Sequence, residues 1–111
     1  MKLQEAEKLY KSLFDYFKGV IREDGSSYHV CDNGFPYFYF PNVHVCLYFF
    51  EYTNQEYLVY LQFAPDDLDV PSVSYKYRSI KSFNYDNFVD DLNFFHLPWV
   101  SRIGLLGDLA K

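Results

Sequence analysis

The string His-Val-Cys occurs twice in the sequence, at residues 29–31 and again at residues 44–46. Residues two apart on a β-strand share a face, so each string can offer an imidazole nitrogen and a sulfur to one ligand. The four side chains have the ligand types of a tetrahedral zinc site: His29, Cys31, His44 and Cys46. Zinc motifs usually place two cysteines within one short turn, however, and in a meandering sheet the strand at 35–40 would lie between the two strings. We therefore interpret the four residues as ordinary half-buried strand positions and keep a metal site as an alternative.

The same residues could supply a cysteine nucleophile with a histidine base. The sequence around them has no glycine-rich elbow, no helix start directly after either cysteine, and no third group that would orient the imidazole. Serine-hydrolase, P-loop and dinucleotide-binding patterns are also missing, and His96 is expected to contact carbonyls at the end of a helix. We therefore predict a protein that is not an enzyme and that needs no cofactor.

Six of the 15 acidic residues form two local groups, Asp66, Asp67 and Asp69 in the first and Asp86, Asp90 and Asp91 in the second. Their spacing lacks the glycine and the terminal glutamate of a calcium-binding EF-hand loop. They could instead stand in for DNA phosphates in the basic cleft of a nucleic-acid enzyme, although such a mimic normally has a larger share of acids. Solvated loop and helix charges are the simplest interpretation, and an acidic DNA-mimic inhibitor remains an alternative function.

The stretch from Val43 to Ala64 predicts a β-hairpin, because two alternating segments are separated by a polar break at residues 53–56. In the first segment the odd positions from Val43 to Phe49 are aliphatic or Phe and predict a core face. The odd positions of the second segment continue that face only if odd residues pair with odd residues. A two-residue turn at Asn54-Gln55 would pair odd with even, so we favour a connection of three or five residues.

The even positions of the first segment include Tyr48, Phe50 and Tyr52. A continuous aromatic patch of this kind is too apolar to face water, so we expect this chain or another to cover it. The predicted partner-binding residues form two sets. Four aromatic side chains are anchors, which a bound partner would bury, and four charged side chains would steer the approach of the partner. The anchors are Tyr48, Phe50, Tyr52 and Tyr60, and the steering charges are Glu51, Asp66, Asp67 and Asp69.

Aromatic residues make up 23% of the 111-residue chain, with 12 Tyr and 12 Phe. Twelve tyrosines are more than one small core can bury, because each buried hydroxyl needs a hydrogen-bond partner. Many of these rings should therefore lie at the boundary with solvent, as in protein-binding surfaces. The formal net charge of −5 argues against a groove for nucleic-acid phosphates and favours a partner with a basic surface.

The pattern of the whole chain predicts one α+β domain over residues 1–111, with an antiparallel meander of about five strands. An amphipathic helix at about 3–22, stopped by Gly25, and a helix at about 85–96, capped by Asn84, should pack on the sheet. Asp32-Asn33-Gly34 predicts a tight hairpin with a type I′ turn. The strands are predicted at 27–32, 35–40, 43–52, 57–64 and 72–79, and a short helical tail at about 99–106.

The start of the chain is charged and polar, and no uninterrupted apolar segment follows. We therefore expect neither a secretory signal nor a membrane span, and we place the protein in the cytoplasm. A reducing compartment makes free thiols the expected state of both cysteines.

Taken together, these features predict a small non-enzymatic binding protein that docks an aromatic, acid-rimmed surface on a protein partner and blocks it. By analogy of composition alone, immunity proteins and inhibitors encoded by phages or mobile elements fit this description. The alternatives are the DNA mimic, a small metal-binding domain or enzyme that uses the two His-Val-Cys strings, and a homodimer formed through the second face of the sheet.

Overall fold

Along the chain, one amphipathic helix precedes five β-strands and a second amphipathic helix follows them. The computed structural model describes residues 1–22 and 25–97, and in it each strand is hydrogen-bonded to its neighbours in sequence. This confirms the predicted α+β fold with a five-stranded antiparallel meander; the tail predicted at 99–106 lies outside the described residues. The elements are α1 Leu3–Gly19, β1 Ser27–Val30, β2 Pro36–Phe40, β3 Val43–Thr53, β4 Glu56–Pro65, β5 Val73–Tyr77 and α2 Tyr85–Phe94, with a short 3-10 helix at Ile80–Ser82.

Helix α1 buries one apolar stripe against the sheet. Ala6, Leu9, Leu13 and Phe17 are fully buried at helical spacing, as the amphipathic pattern predicts. The helix ends at Gly19, six positions before the predicted stop at Gly25, because glycine and the β-branched pair that follows it are poor helix formers. Gly25 instead has a φ of +97° and forms part of the turn that leads to β1.

The face of the sheet that the helices cover is built from alternate residues of β2, β3 and β4. Leu47 pairs with Leu61 and Val45 pairs with Phe63, so odd residues face odd residues as predicted. Burial follows the same alternation, since every second residue of β3 from Val43 to Leu47 is fully buried. This face therefore provides one half of the core, and the two helices provide the other.

The connection between β3 and β4 differs from the prediction. Thr53 pairs with Glu56 across a two-residue turn, and a bulge between Glu51 and Thr53 shifts the register so that Glu51 pairs with Tyr57. The expected connection of three or five residues is therefore wrong. A bulge places one extra residue on one strand, so it restores the odd-with-odd pairing that the two-residue turn alone would have broken.

The hairpin at residues 32–34 forms, but its turn is not of type I′. Gly34 has a φ of +85°, whereas Asn33 has no positive φ, and a type I′ turn needs both central residues in that region. The Gly34 amide donates to the Cys31 carbonyl at 2.8 Å, and the Asn33 side-chain oxygen accepts from the Phe35 amide at 3.0 Å. The connection is a three-residue loop with Gly34 at the left-handed position.

Helix α2 packs on the same side of the sheet as α1. Its N-cap forms as predicted, with the Asn84 side chain accepting from the Asn87 amide at 3.0 Å. The Tyr75 hydroxyl of β5 donates to the Asp91 carboxylate of α2, and burial together with this bond raises the pKa of Tyr75. In the ranges 1–22 and 25–97, neither helix combines the length and apolarity needed to cross a bilayer.

The first residue is tied to the sheet by its ammonium group. The Met1 nitrogen donates to the carbonyls of Tyr57 and Arg78 at 3.1 and 3.0 Å, and it lies 2.9 Å from a carboxylate oxygen of Glu56. The other oxygen of Glu56 accepts from the Lys2 ammonium at 3.0 Å. These two positively charged donors, the N-terminal ammonium first, lower the pKa of Glu56 below its ordinary value of 4.5.

Replacing Glu56 by glutamine is expected to remove a pH-dependent part of the stability. The folded-state pKa of Glu56 is lower than the unfolded-state value, so this contribution is present above pH 4.5 and is lost as the pH falls through the folded-state pKa. In urea denaturation the wild type should have a larger free energy of unfolding than Glu56→Gln near neutral pH. This difference in free energy should shrink in acid. A difference that stays constant across this range would contradict the assignment.

Candidate functional site

The face of the sheet opposite the helices is called the open face. Strand pairing defines it, because Tyr37 lies opposite Cys46, Tyr48 lies opposite Tyr60, and alternation carries the same face along each strand. Neither helix of the described ranges lies on this face. Its residues are Tyr37 and Tyr39 from β2, His44, Cys46, Tyr48 and Phe50 from β3, Leu58, Tyr60 and Gln62 from β4, and Ser74 and Lys76 from β5.

The centre of the open face is a row of stacked rings. The Tyr48 and Tyr60 centroids are 4.7 Å apart with an interplanar angle of 26°, and the Tyr48 and Phe50 centroids are 5.9 Å apart with an angle of 29°. Phe50 is 41% exposed. Leu58, opposite Phe50, is only 3% exposed although it does not belong to the main core, so the neighbouring side chains on the open face shield it. The face thus holds a small apolar cluster of its own.

A second ring cluster lies on β2 and the start of β3. The Tyr39 ring is 4.7 Å from His44 and 5.2 Å from His29, and the Tyr37 ring is 5.1 Å from Tyr39. Cross-strand aromatic pairs of this kind stabilise a sheet and fix the rotamers of their members. The two ring clusters make most of the open face aromatic from β2 to β4.

The four residues of the two His-Val-Cys strings lie in this region, but the structure does not assemble them into one site: Cys31 and Cys46 border one cavity, whereas His29 and His44 pack against the Tyr39 ring. In the described part of the chain, no set of three or more His, Cys, Asp or Glu side chains could hold a metal ion. Strand β2 lies between the strings, and the Tyr39 ring lies between His29 and His44, 5.2 and 4.7 Å from them. Cys31 is exposed, Cys46 is partly buried, and both are free thiols.

Tyr37 lies directly opposite Cys46, and their side chains interact across the two strands. Hydrogen bonding to Cys46, together with burial, raises the pKa of Tyr37 to about 12. Burial also raises the pKa of the Cys46 thiol, and the bond from Tyr37 only partly offsets that effect. A thiol that is less acidic than usual is a poor nucleophile at neutral pH, so this pair provides shape and polarity rather than reactivity.

The predicted steering charges are divided between two faces. Asp66 lies beside the open face, with one carboxylate oxygen 3.0 Å from His44 Nε2. Asp67 and Asp69 follow in the exposed loop, where the Asp67 carboxylate accepts from the Asp69 amide at 2.9 Å. Glu51 lies on the helix side, because it pairs with Tyr57 in the register that buries Phe49 and Val59, and Tyr57 packs against the core. Glu51 is therefore not part of the open face.

Two cations border the open face, Lys76 on β5 and Arg78 directly after that strand, and neither was predicted as a site residue. Lys76 lies opposite Tyr60, and the Arg78 guanidinium lies 5.4 Å from the centre of the Tyr52 ring. The clean alternation of β5 was the signal that could have assigned Lys76 to this face. The acidic rim predicted from the sequence is thus limited to the loop that contains Asp66, and the β5 border has the opposite sign.

The acids of α2 lie on the other side of the sheet. Asp91 is partly buried and accepts from the Tyr75 hydroxyl, which leaves it poorly placed to imitate a solvent-exposed phosphate. The acidic loop after β4 and the acids of α2 therefore do not form one continuous surface on the open face. This arrangement gives the DNA-mimic alternative no specific support.

No protein-family model matches the chain, and neither a curated protein nor a solved structure matches it. A fold of this class does not specify an activity by itself. The chemistry of the open face is therefore the basis on which a function can be proposed.

Proposed function

We propose that this protein is a non-enzymatic binding protein that docks its open face on a protein partner and blocks that partner, as inhibitors and immunity proteins do. The observation that supports the proposal is the row of stacked, partly exposed rings on a sheet face that neither described helix covers. Tyr and Phe are enriched in protein interfaces, where they bury a large area and lose little conformational entropy. Their clustering around Tyr48 and Phe50 resembles the centre of such an interface.

A protein partner fits these rings better than a single-stranded nucleic acid does. Proteins that bind single strands offer free ring faces on which bases can stack. Here Tyr48 stacks on both Tyr60 and Phe50, and the Tyr52 ring is next to the Arg78 guanidinium, so several ring faces are already occupied. The net charge of −5 also opposes phosphate binding.

The charges at the border of the open face indicate how a partner would be oriented. The loop with Asp66, Asp67 and Asp69 favours basic groups on the partner at one end of the face. Lys76 and Arg78 favour acidic groups along β5. Opposite charges at two places on one face contribute mainly to the rate and the specificity of association, whereas the apolar centre contributes most of the affinity.

Comparing three immobilised baits tests the docking proposal: the wild type, Phe50→Asp on the open face, and Phe94→Asp on the helix side. Phe50 and Phe94 are both exposed, at 41% and 63%, so neither change removes a core side chain. We expect proteins from the source cells to be retained by the wild type and by Phe94→Asp but not by Phe50→Asp. Circular dichroism of each bait checks that the fold is intact.

Two outcomes would contradict the proposal. One is a retained protein that binds all three baits equally, which would place the contact elsewhere on the surface. The other is self-association in sedimentation that Phe50→Asp abolishes, which would make a second copy of this chain the occupant of the open face.

A further inference from the structure

A cavity of about 220 Å³ opens beside the ring row, where the turn between β1 and β2 meets β3. A cavity of about 150 Å³ already holds a benzene ring, so this volume is sufficient for one large side chain. The cavity lies at the end of the open face that carries Tyr48. Its lining includes Cys31, Asn33, Phe35, Tyr37, Cys46 and Tyr48.

The lining of this cavity is uncharged, and two of its polar side chains interact within the protein. The Tyr37 hydroxyl bonds to Cys46, and the Asn33 side-chain oxygen accepts from the Phe35 amide. Asp32, in the same turn, is exposed and does not line the cavity. A charged side chain placed in the cavity would lose water without meeting an opposite charge, which is unfavourable.

The walls of the cavity are held by the rest of the fold before any ligand arrives. The Phe35 ring is 6.0 Å from Tyr48 on the open face, 5.6 Å from Phe49 on the helix side, and 5.8 Å from Tyr10 of α1. The turn is closed by the bond from the Gly34 amide to the Cys31 carbonyl at 2.8 Å. A preformed cavity costs little ordering entropy when it is filled.

We infer that this cavity is the specificity pocket of the open face and that it receives one uncharged apolar side chain of the protein partner, with the size of Leu, Met or Phe. Two sulfur atoms and three rings make a polarisable lining that suits a thioether, an aliphatic or an aromatic group. The inference rests on the proposed function, because it names the anchor that the partner would place next to the stacked rings. Interfaces commonly concentrate their binding energy in such filled pockets.

The experiment uses four capped amino acids as probes, the N-acetyl amides of methionine, leucine, lysine and glutamate, titrated into isotope-labelled protein and followed by NMR. We expect the methionine and leucine probes to shift the resonances of Cys31, Tyr37, Cys46 and Tyr48, and the charged probes to leave them unchanged. Equal effects from the lysine or glutamate probe would overturn the inference. So would a complete lack of response to the apolar probes at the solubility limit.

Two filling variants and one matched control complete the test. Cys46→Phe should fill the cavity and weaken the binding of the methionine and leucine probes. Their dissociation constants should rise about tenfold or more, which corresponds to about 1.4 kcal/mol. Gln62→Phe changes the residue directly opposite Cys46 on the same face but outside the lining, and it should leave probe binding unchanged. Cys31→Phe fills the cavity from an exposed turn position, so it replaces Cys46→Phe should that variant not fold.

The same variants separate this inference from the docking proposal. A captured partner that fails to bind Phe50→Asp but binds both Cys31→Phe and Cys46→Phe as well as it binds the wild type would support docking on the open face. The pocket inference would then be wrong. When the apolar probes bind in the wild type and not in the filling variants, but no partner depends on Phe50, the pocket is a real apolar site and the docking proposal is wrong.

Discussion

Replacing Phe17 by alanine is expected to lower the free energy of unfolding by about 3–5 kcal/mol. Phe17 is fully buried, and its ring centroid is 5.5 Å from Phe38, 6.1 Å from Phe63 and 5.8 Å from Phe88. It therefore joins α1, the covered face of the sheet and α2 at one point. Domains of this size have a total stability of about 5–15 kcal/mol, so the loss would leave the protein marginally stable. Urea denaturation followed by circular dichroism measures the change.

Phe50→Ala is the matched control for this change. Phe50 is also a phenylalanine within a regular element, but it lies on the open face and is 41% exposed. Its truncation should cost less than about 1.5 kcal/mol, because a partly exposed ring buries less apolar area. A loss from Phe50→Ala as large as that from Phe17→Ala would mean that the open face is covered in solution, and it would remove the basis of the docking proposal.

The two-residue alternation of β3 and β4 was sufficient to predict the covered face correctly. Val45, Leu47, Leu61 and Phe63 are apolar at every second position, and only odd-with-odd pairing buries all of them together. The helical spacing of α1 predicted its buried stripe for the same reason. Hydrophobic periodicity reports burial directly, so elements with one clearly apolar face are the most predictable part of this chain.

Local backbone details were predicted less well. The bulge near Tyr52 was missed because only Thr53 of β3 follows it, so the strand has no second run of alternation whose shifted phase could reveal the extra residue. The turn at Asn33-Gly34 was placed correctly but assigned to the wrong type, since an Asn-Gly pair is compatible with more than one loop. Glu51 was grouped with the steering charges, although it continues the odd positions of β3 and its pairing with Tyr57 places it on the helix side.

The candidate site was predicted only in part, because it depends on how separate hairpins pair. Tyr48 and Tyr60 were both named as anchors from the two arms of one hairpin, and the structure stacks them. Tyr37 and Tyr39 were not assigned to the site, since their face is fixed by pairing to a strand of another hairpin. The pocket beside Tyr48 combines a turn with two strands, and no sequence pattern reports such a cavity.

Truncating the stacked anchors is expected to weaken the partner complex by about 30-fold or more, which corresponds to about 2 kcal/mol, mainly through faster dissociation. Tyr48→Ala should have the largest effect, because Tyr48 contacts both Tyr60 and Phe50 and also lines the neighbouring cavity. Surface plasmon resonance with the captured partner measures both rate constants. An unchanged dissociation rate for Tyr48→Ala and Tyr60→Ala would show that these rings are not anchors.

Neutralising an acidic residue in the loop after β4 should change the association rate constant rather than the dissociation rate constant. Asp69→Asn removes one charge from the exposed loop while keeping the side-chain size, so it should slow association and make it less sensitive to salt, with little change in dissociation. Glu51→Gln removes the same charge on the helix side and should leave both rates unchanged, because Glu51 interacts there with Tyr57. If the two variants slowed association equally, the effect would follow from the net charge of −5 and not from the position of the loop beside the open face.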